Sequence, residues 1–259
     1  MNAIRIGLIG CGGIANSTHL PQLQRAGGAT VQALCDIDAG RLHQTGERCQ
    51  VPVQRRFADY RDLIACADVD AVDICTPNDS HVPIALAAVG AGKPYCIEKP
   101  VGLSFEEASS LAEATRQAGL PAMVCFSYRF MPAVRLARTI MREGRIGRPI
   151  HVYANYLKAS ALITGRRLDW RFDEAIARYG VSGDLAVHLI DLIRYLVDDF
   201  TGVFSQTGII VRERLQLDRD EWARVGTDDY CHFLAELAHG VPAVFSISRC
   251  AVGNKNHIA

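Results

Sequence analysis

A doubly wound parallel α/β sheet followed by an α+β domain is the architecture the sequence predicts, on three observations. Up to about residue 125, short apolar runs alternate with helix-like stretches, as in a parallel sheet with crossover helices. The first of these runs ends in a glycine-rich turn, the usual junction between a strand and a closely packed helix. After Phe126 the alternation stops, and strand-like runs mix with one long apolar helix. At roughly 150 residues per domain, 259 residues suit two domains. The expected boundaries are 1–125 and 126–259. No linker, repeat or low-complexity stretch separates them.

The first strand, Ile4–Ile9, runs into Gly10-x-Gly12-x-x-Ala15. Gly10 permits a sharp turn, and Gly12, Gly13 and Ile14 bring the backbone close to a pyrophosphate. Small Ala15 lets the following helix pack near its strand, with unpaired N–H groups aimed at the anion. The second strand, Val31–Cys35, ends at Asp36, about 20 residues beyond the glycines, where a ribose-binding acid is expected. A carboxylate there accepts from ribose hydroxyls and repels a 2′-phosphate, and Asp38 adds a second negative charge. The first domain thus reads as a dinucleotide-binding Rossmann unit taking NAD rather than NADP. Arg41 is the one nearby group able to partner a phosphate.

The next strand, Val69–Cys75, leads into Cys75-Thr76-Pro77-Asn78-Asp79-Ser80-His81, with Asp79 or Ser80 as cap of a helix over Ser80–Gly90. Gly92-Lys93-Pro94 turns the chain into the strand Pro94–Ile97. Glu98-Lys99-Pro100 then falls at the carboxyl edge of the sheet, where doubly wound folds bind ligands. Lys99 there is either an acid/base group or a surface lysine in a turn. Ser104-Phe105-Glu106-Glu107 is a capping-box pattern opening the helix Ser104–Ala118, which closes at Gly119 before a last strand, Ala122–Cys125.

In the second domain a helix spans Pro132–Glu143 and stops at Gly144, and strands are expected at Ile150–Tyr156, Phe204–Val211 and Ala243–Ser248. The long helix, Gly183–Val197, carries Asp184 and His188 at i,i+4 and Asp191 three residues further on, a polar stripe on an apolar helix. Burying three ionisable groups costs several kcal/mol unless they pair or function. No further His/Glu cluster supplies a third metal ligand, so no metal is expected.

Net charge is zero with 22% charged residues, which argues against nucleic-acid and anionic-membrane partners. No run of 18 apolar residues occurs, and the amino terminus enters a strand without a basic n-region or apolar h-region, so a cytoplasmic protein is expected. Nine cysteines lack any C-x-x-C pair; Cys35, Cys75, Cys96 and Cys125 lie in strand-like runs and read as buried thiols.

Taken together, Gly10-x-Gly12-x-x-Ala15, Cys75-Thr76-Pro77-Asn78-x-x-His81, Glu98-Lys99-Pro100, Tyr128-Arg129-Phe130, Asp169-Trp170-Arg171-Phe172 and Gly183-Asp184-x-x-x-His188-x-x-Asp191 resemble the Gfo/Idh/MocA family of inositol and glucose–fructose oxidoreductases over nearly the whole chain. The resemblance implies a second domain built on a largely antiparallel open sheet. It also implies an NAD-dependent dehydrogenase acting on a secondary alcohol of a sugar, sugar derivative or cyclitol. Lys99, Asp184 and His188 are its implied catalytic residues, with Tyr128, Arg129 and Asp191 toward substrate. The turn Cys75, Thr76, Pro77, Asn78 and His81, together with Glu98, Lys99, Trp170 and Arg171, is implied to lie toward the cofactor. Homo-oligomers, dimers or tetramers joined through the second-domain sheet, are implied as well. Three departures stand out: Ser127 where an Asn often precedes the Tyr-Arg pair, Ala186 in place of a Gly, and an end at Ala259 earlier than the resemblance implies, so that an unfinished second sheet is expected. The alternatives within reach of the same fold are an NAD-recycling glycosidase and a non-enzymatic dinucleotide-binding regulator.

Overall fold

The computed structural model describes residues 3–253 and 255–259. The chain divides into two compact units between Cys125 and Phe126.

In the first unit six parallel strands stand in the order β3-β2-β1-β4-β5-β6. They are β1 Ile4–Ile9, β2 Ala29–Cys35, β3 Arg56–Phe57, β4 Ala71–Ile74, β5 Tyr95–Ile97 and β6 Ala122–Val124. The central strands β1, β2, β4 and β5 carry most of the burial, which explains their near-continuous apolar runs. Leu8 and Leu34 pack with Leu20, Leu42 and Val51, while Ile9, Ile74 and Ile97 pack with Leu63, Ile84 and Leu111. Strand order reverses between β1 and β4, the topological switch point at whose carboxyl edge such folds hold ligands.

The helices are α1 Leu20–Ala26, α2 Ala39–Cys49, α3 Tyr60–Ala65, α4 Asn78–Gly90 and α5 Phe105–Ala118. Asp38 caps α2, accepting from the N–H groups of Gly40 and Arg41, and Asp59 caps α3. Ser104 caps α5 through Glu107 N–H, and Gly119 ends it at φ 64°. Glu107 reaches back to Leu103 N–H at 2.7 Å rather than to Ser104 itself. α4 corrects the reading of its start. It begins at Asn78 after extended Pro77 without a side-chain cap, and Ser80 Oγ donates to the Pro77 carbonyl at 2.8 Å. Neither Asp79 nor Ser80 is the cap, because the helix already begins at Asn78, after Pro77 with its extended ψ of 159°, and both lie within its first turn.

The second unit contains α6 Pro132–Arg142, β7 Val152–Leu157, α7 Glu174–Ala177, α8 Val187–Leu196 and strands β8 Phe200–Gly208, β9 Glu213–Leu215, β10 Trp222–Arg224, β11 Tyr230–Leu237, β12 Val241–Ser248 and β13 Lys255–Ile258. β9 and β10 form a small antiparallel pair. The main sheet runs β13-β7-β12-β11-β8 and is antiparallel except where β12 meets β7. Alternation decides its faces. Val152, Ala154, Tyr156, Phe233, Phe245 and Ile247 turn inward against Leu185, Leu189 and Ile193. Tyr153, Val244, Leu234 and Phe204 stand in register across the other face.

Two boundaries differ from the sequence reading for identifiable reasons. β8 ends at Gly208 rather than Val211, because the Ile210 and Val211 N–H groups donate to the Asp229 carboxylate instead of to a neighbouring strand. The long helix is divided, a π-helical turn over Ser182–Ala186 preceding α8. Asp228 fixes this start, accepting from Gly180 N–H, Ser182 N–H and Ser182 Oγ, each at 2.8 Å. Among the described residues no helix is long and apolar enough to cross a membrane.

Candidate functional site

The glycine turn is held from both sides. Gly10 has φ 95°, and a Cβ on it would lie 2.8 Å from the Cys75 carbonyl carbon and oxygen and 2.9 Å from Thr76 N. Only glycine fits there, since the atoms met are backbone. Gly12 and Gly13 instead face open space, where a Cβ would meet nothing within 4 Å. Their backbone is therefore approachable by a ligand. Ala15 is fully buried, and a π-helical turn over Ala15–His19 leads into α1. Asn16, which the sequence reading passed over, braces the loop: its side-chain amide donates to Cys11 O at 2.7 Å and Gly12 O at 3.0 Å. Its oxygen accepts from Arg48 and from Thr45 Oγ1.

Asp36 closes the mouth of this turn. Its Oδ2 accepts from Cys11 N–H at 2.7 Å and its Oδ1 from Asp38 N–H at 2.8 Å. Each oxygen keeps a second lone pair for a ribose hydroxyl. Asp38 and Arg41 pair with each other at 3.3 Å and are both exposed. The residues present fit a dinucleotide: an open glycine backbone, a carboxylate at the end of β2, and on the β4 side the buried Thr76 Oγ1, which finds no hydrogen-bond partner among the described residues.

At the carboxyl ends of β4 and β5, Glu98, Lys99 and Pro100 form the turn expected from sequence. Glu98 Oε2 accepts from Lys99 N–H at 3.1 Å. Its Oε1 lies 2.9 Å from His19 Nε2, and His19 Nδ1 lies 2.8 Å from Asp73 Oδ2. Burial works against the charged carboxylate of Glu98, but the hydrogen bond and charge of His19 hold its pKa below the ordinary glutamate value. His81 differs from expectation. It is 1% exposed, with Nδ1 2.7 Å from Pro100 O and Nε2 2.9 Å from Thr76 O, so it braces two turns and turns no ring nitrogen toward open space. Burial lowers its pKa against the pull of those carbonyls. Cys75 is likewise buried, its thiol pushed up to about 12 by desolvation.

No metal is expected from the sequence. Among the described residues two groups of potential donors come together, His19 with Asp73 and Cys75, and His19 with Glu98 and Cys125, each within 4.8 Å. In both, the histidine nitrogen already stands at hydrogen-bond distance from a carboxylate. Cys35 and Cys75 are buried as expected, whereas Cys96 and Cys125 are only partly so.

In the second unit Asp184 lies in the π turn and His188 in the first turn of α8. The His188 ring stacks on Tyr128 at 4.6 Å between centroids, with Phe126 at 6.3 Å and Tyr156 at 6.1 Å. Tyr128 and Tyr156 share a hydroxyl–hydroxyl bond of 2.7 Å, so this aromatic wall is tied to β7. Asp191 is buried and accepts from Arg129 Nε at 2.8 Å. Those two residues therefore satisfy one another, and Arg129 also lies over the Tyr195 ring. Ala186 is buried inside the π turn. Trp170 and Arg171 stack on each other at 4.4 Å in a short 3₁₀ turn capped by Asp169.

Comparison with known proteins bears on these arrangements as a whole. Residues 4–126 match the model of an oxidoreductase family with an NAD-binding Rossmann fold, and residues 134–259 match the C-terminal domain model of the same family, GFO/IDH/MocA. Levoglucosan dehydrogenase of Pseudarthrobacter phenanthrenivorans is 34% identical over 213 residues, covering 78% of this chain and 55% of that protein. Inositol 2-dehydrogenase 2 of Saccharopolyspora erythraea is 37% identical over 172 residues, covering 62% of this chain and 50% of that one. The chain thus spans about half the length of these curated relatives. A solved levoglucosan dehydrogenase in complex with NADH and L-sorbose superposes with a TM-score of 0.90 at 30% identity, over 98% of this chain and 69% of that chain. Since both units match, each to its own part of one two-domain family, the chain belongs to the Gfo/Idh/MocA family of oxidoreductases.

Proposed function

We propose that the protein is an NAD-dependent dehydrogenase that oxidises a secondary alcohol of a sugar, sugar derivative or cyclitol. The observation that carries this reading is the glycine turn, whose open backbone at Gly12 and Gly13 ends beneath the Asp36 carboxylate. NAD, when bound, accepts the hydride that leaves the carbinol carbon. Asp36 takes the ribose hydroxyls and disfavours NADP, because a carboxylate repels a 2′-phosphate; Arg41 is already paired with Asp38.

A carbinol proton does not leave unaided at neutral pH. His188 accepts it, its ring orientation set by the stack on Tyr128, while Asp184 steadies the imidazolium that results. Lys99 binds and polarises the same hydroxyl. In this reading Tyr128, Arg129 and Asp191 are assigned to the substrate, and Trp170 and Arg171 to the cofactor. The first unit binds the dinucleotide and the second binds substrate. The row of Tyr153, Val244, Leu234 and Phe204 supports self-association through the second unit's sheet. Nine free cysteines favour a reducing compartment such as the cytoplasm.

A panel of polyols, inositols, aldoses and anhydrosugars with NAD, followed as NADH absorbance, tests the reading. Turnover of at least one secondary alcohol is expected. Release of free sugar from a glycoside without net NADH would replace it with the glycosidase reading. Dinucleotide binding without turnover of any member would favour a regulator.

A further inference from the structure

We propose that His19 is a positioning residue for Lys99: held between Asp73 and Glu98 as a doubly donating imidazolium, it fixes the carboxylate from which the Lys99 turn hangs. This rests on the reading of Lys99 given above. His19 ends the π-helical turn that follows the glycines. Its side chain is 10% exposed, and those of Asp73 and Glu98 are 8% and 12%.

A neutral imidazole has one N–H and one lone pair. Here both ring nitrogens meet carboxylate oxygens, at 2.8 and 2.9 Å, so a neutral ring would aim a lone pair at one of them. Protonation of both nitrogens satisfies both contacts and balances one of two buried negative charges. The groups facing the ring are Asp73 from β4, Cys75 just beyond it, Glu98 beyond β5, and Cys125 beyond β6. Burial opposes the charged ring, yet hydrogen bonding with Asp73, Cys75 and Glu98 outweighs it and raises the pKa far above the ordinary histidine value.

Glu98 is then held at both ends, by His19 on Oε1 and by Lys99 N–H on Oε2. On the other side of Lys99, His81 holds the Pro100 carbonyl. The Lys99 main chain is therefore gripped between two histidines. Without His19, two like-charged carboxylates would share a poorly solvated space, and one would move away or take up a proton. Either change loosens the Lys99 turn, and a misplacement of about 1 Å in a reacting group costs up to about 100-fold in rate.

The test uses the full chain, a substrate found by the panel above, and the variants His19→Gln, His19→Leu, Lys99→Met and His19→Gln/Asp73→Asn. The readouts are NADH affinity by fluorescence, kcat and KM, the pH profile of kcat, and ¹⁵N spectra of the histidine rings. NADH affinity is expected within about threefold of the parent in His19→Gln, with kcat lower by about 10–100-fold and KM changed less. The acid limb of its profile should move up by about one pH unit as an unbalanced carboxylate binds a proton. Removing that excess charge in His19→Gln/Asp73→Asn should recover part of the loss, and the parent's His19 should show two protonated nitrogens at pH 8. Folded His19→Gln and His19→Leu proteins with undiminished kcat, or a neutral His19 ring at pH 8, would overturn the proposal. So would a parallel fall of kcat and NADH affinity without rescue, since that describes mere support of the glycine turn. An inactive Lys99→Met beside a fully active His19→Gln overturns only the positioning role. Undiminished turnover in Lys99→Met overturns the reading of Lys99 itself.

Discussion

Asp36→Ala should affect two quantities at once, because one carboxylate serves both the fold and the cofactor. Its oxygens accept from Cys11 N–H and Asp38 N–H at 2.7 and 2.8 Å. Hydrogen bonds to a charged acceptor contribute about 1.5–3 kcal/mol each when buried. This carboxylate is only half-buried, and both freed N–H groups can regain water, so about 1–2 kcal/mol for the pair is the discounted cost. Spread over a first unit of about 125 residues that melts with about 2.1 cal/mol/K per residue, this lowers its Tm by about 4–8 °C. With cofactor the same substitution removes the repulsion toward a 2′-phosphate, so a parent preference for NAD of at least about tenfold in kcat/KM should shrink or vanish. Calorimetry without ligand and initial rates with both cofactors measure the two effects. Asp36→Asn should fall between, because its amide can accept one N–H but presents a donor to the other. A variant that melts like the parent and keeps its cofactor ratio would refute the dual role, and equal use of NAD and NADP by the parent would refute the electrostatic argument.

His188→Ala, Lys99→Met and Asp184→Asn should each lower turnover about 10²–10⁴-fold while NADH titrations stay near the parent value, and the His188/Lys99 double variant should be little worse than the poorer single one. Asp229→Ala should destabilise the second unit by about 3–5 kcal/mol in urea melts, since it strands buried Arg249 and frees the Ile210 and Val211 N–H groups. Arg5 holds Asp70 down to about 2 through hydrogen bonds from its side chain and its backbone N–H. A depressed carboxylate stabilises the fold above its unfolded pKa and loses that contribution as pH falls from about 4 toward 2. An Arg5→Gln protein should return most of the Asp70 titration to the usual carboxylate range, as followed by NMR.

Much of this architecture was legible because it is written in local signals. The apolar runs of β1, β2 and β12, the glycine spacing, and the Ser104 cap with Gly119 at the far end each declare themselves within a few residues. α2 was not singled out, because it buries only Leu42, Thr45 and Gly46 and otherwise reads as a polar loop. β11 was missed although Cys231, Phe233 and Leu237 alternate inward, since His232, Glu236 and half-buried Ala235 dilute the pattern. The Asp191–Arg129 pair was not legible because the two residues are 62 apart and no periodicity connects them. His19 was invisible for the same reason: its partners, Asp73 and Glu98, depend on how the strands are ordered, and a short histidine-ended stretch after a glycine motif gives no hint of two carboxylates. Asn16 bonds locally to Cys11 and Gly12, but its anchors on Thr45 and Arg48 come from a distant helix.

The π turn over Ser182–Ala186 sets a rotational phase. It holds more residues than an α-helical turn, so it offsets everything before it against everything after it about a common axis. Deleting one residue within it would restore ordinary α-helical spacing and swing the preceding segment by about 100°. His188 would keep its place against Tyr128, while Asp184 would point elsewhere and the carboxylate of Asp228 would no longer meet Ser182. Substitution at Asp184 changes a chemical group, but a length change here changes its address, so this segment should tolerate exchanged side chains far better than a gain or loss of one residue.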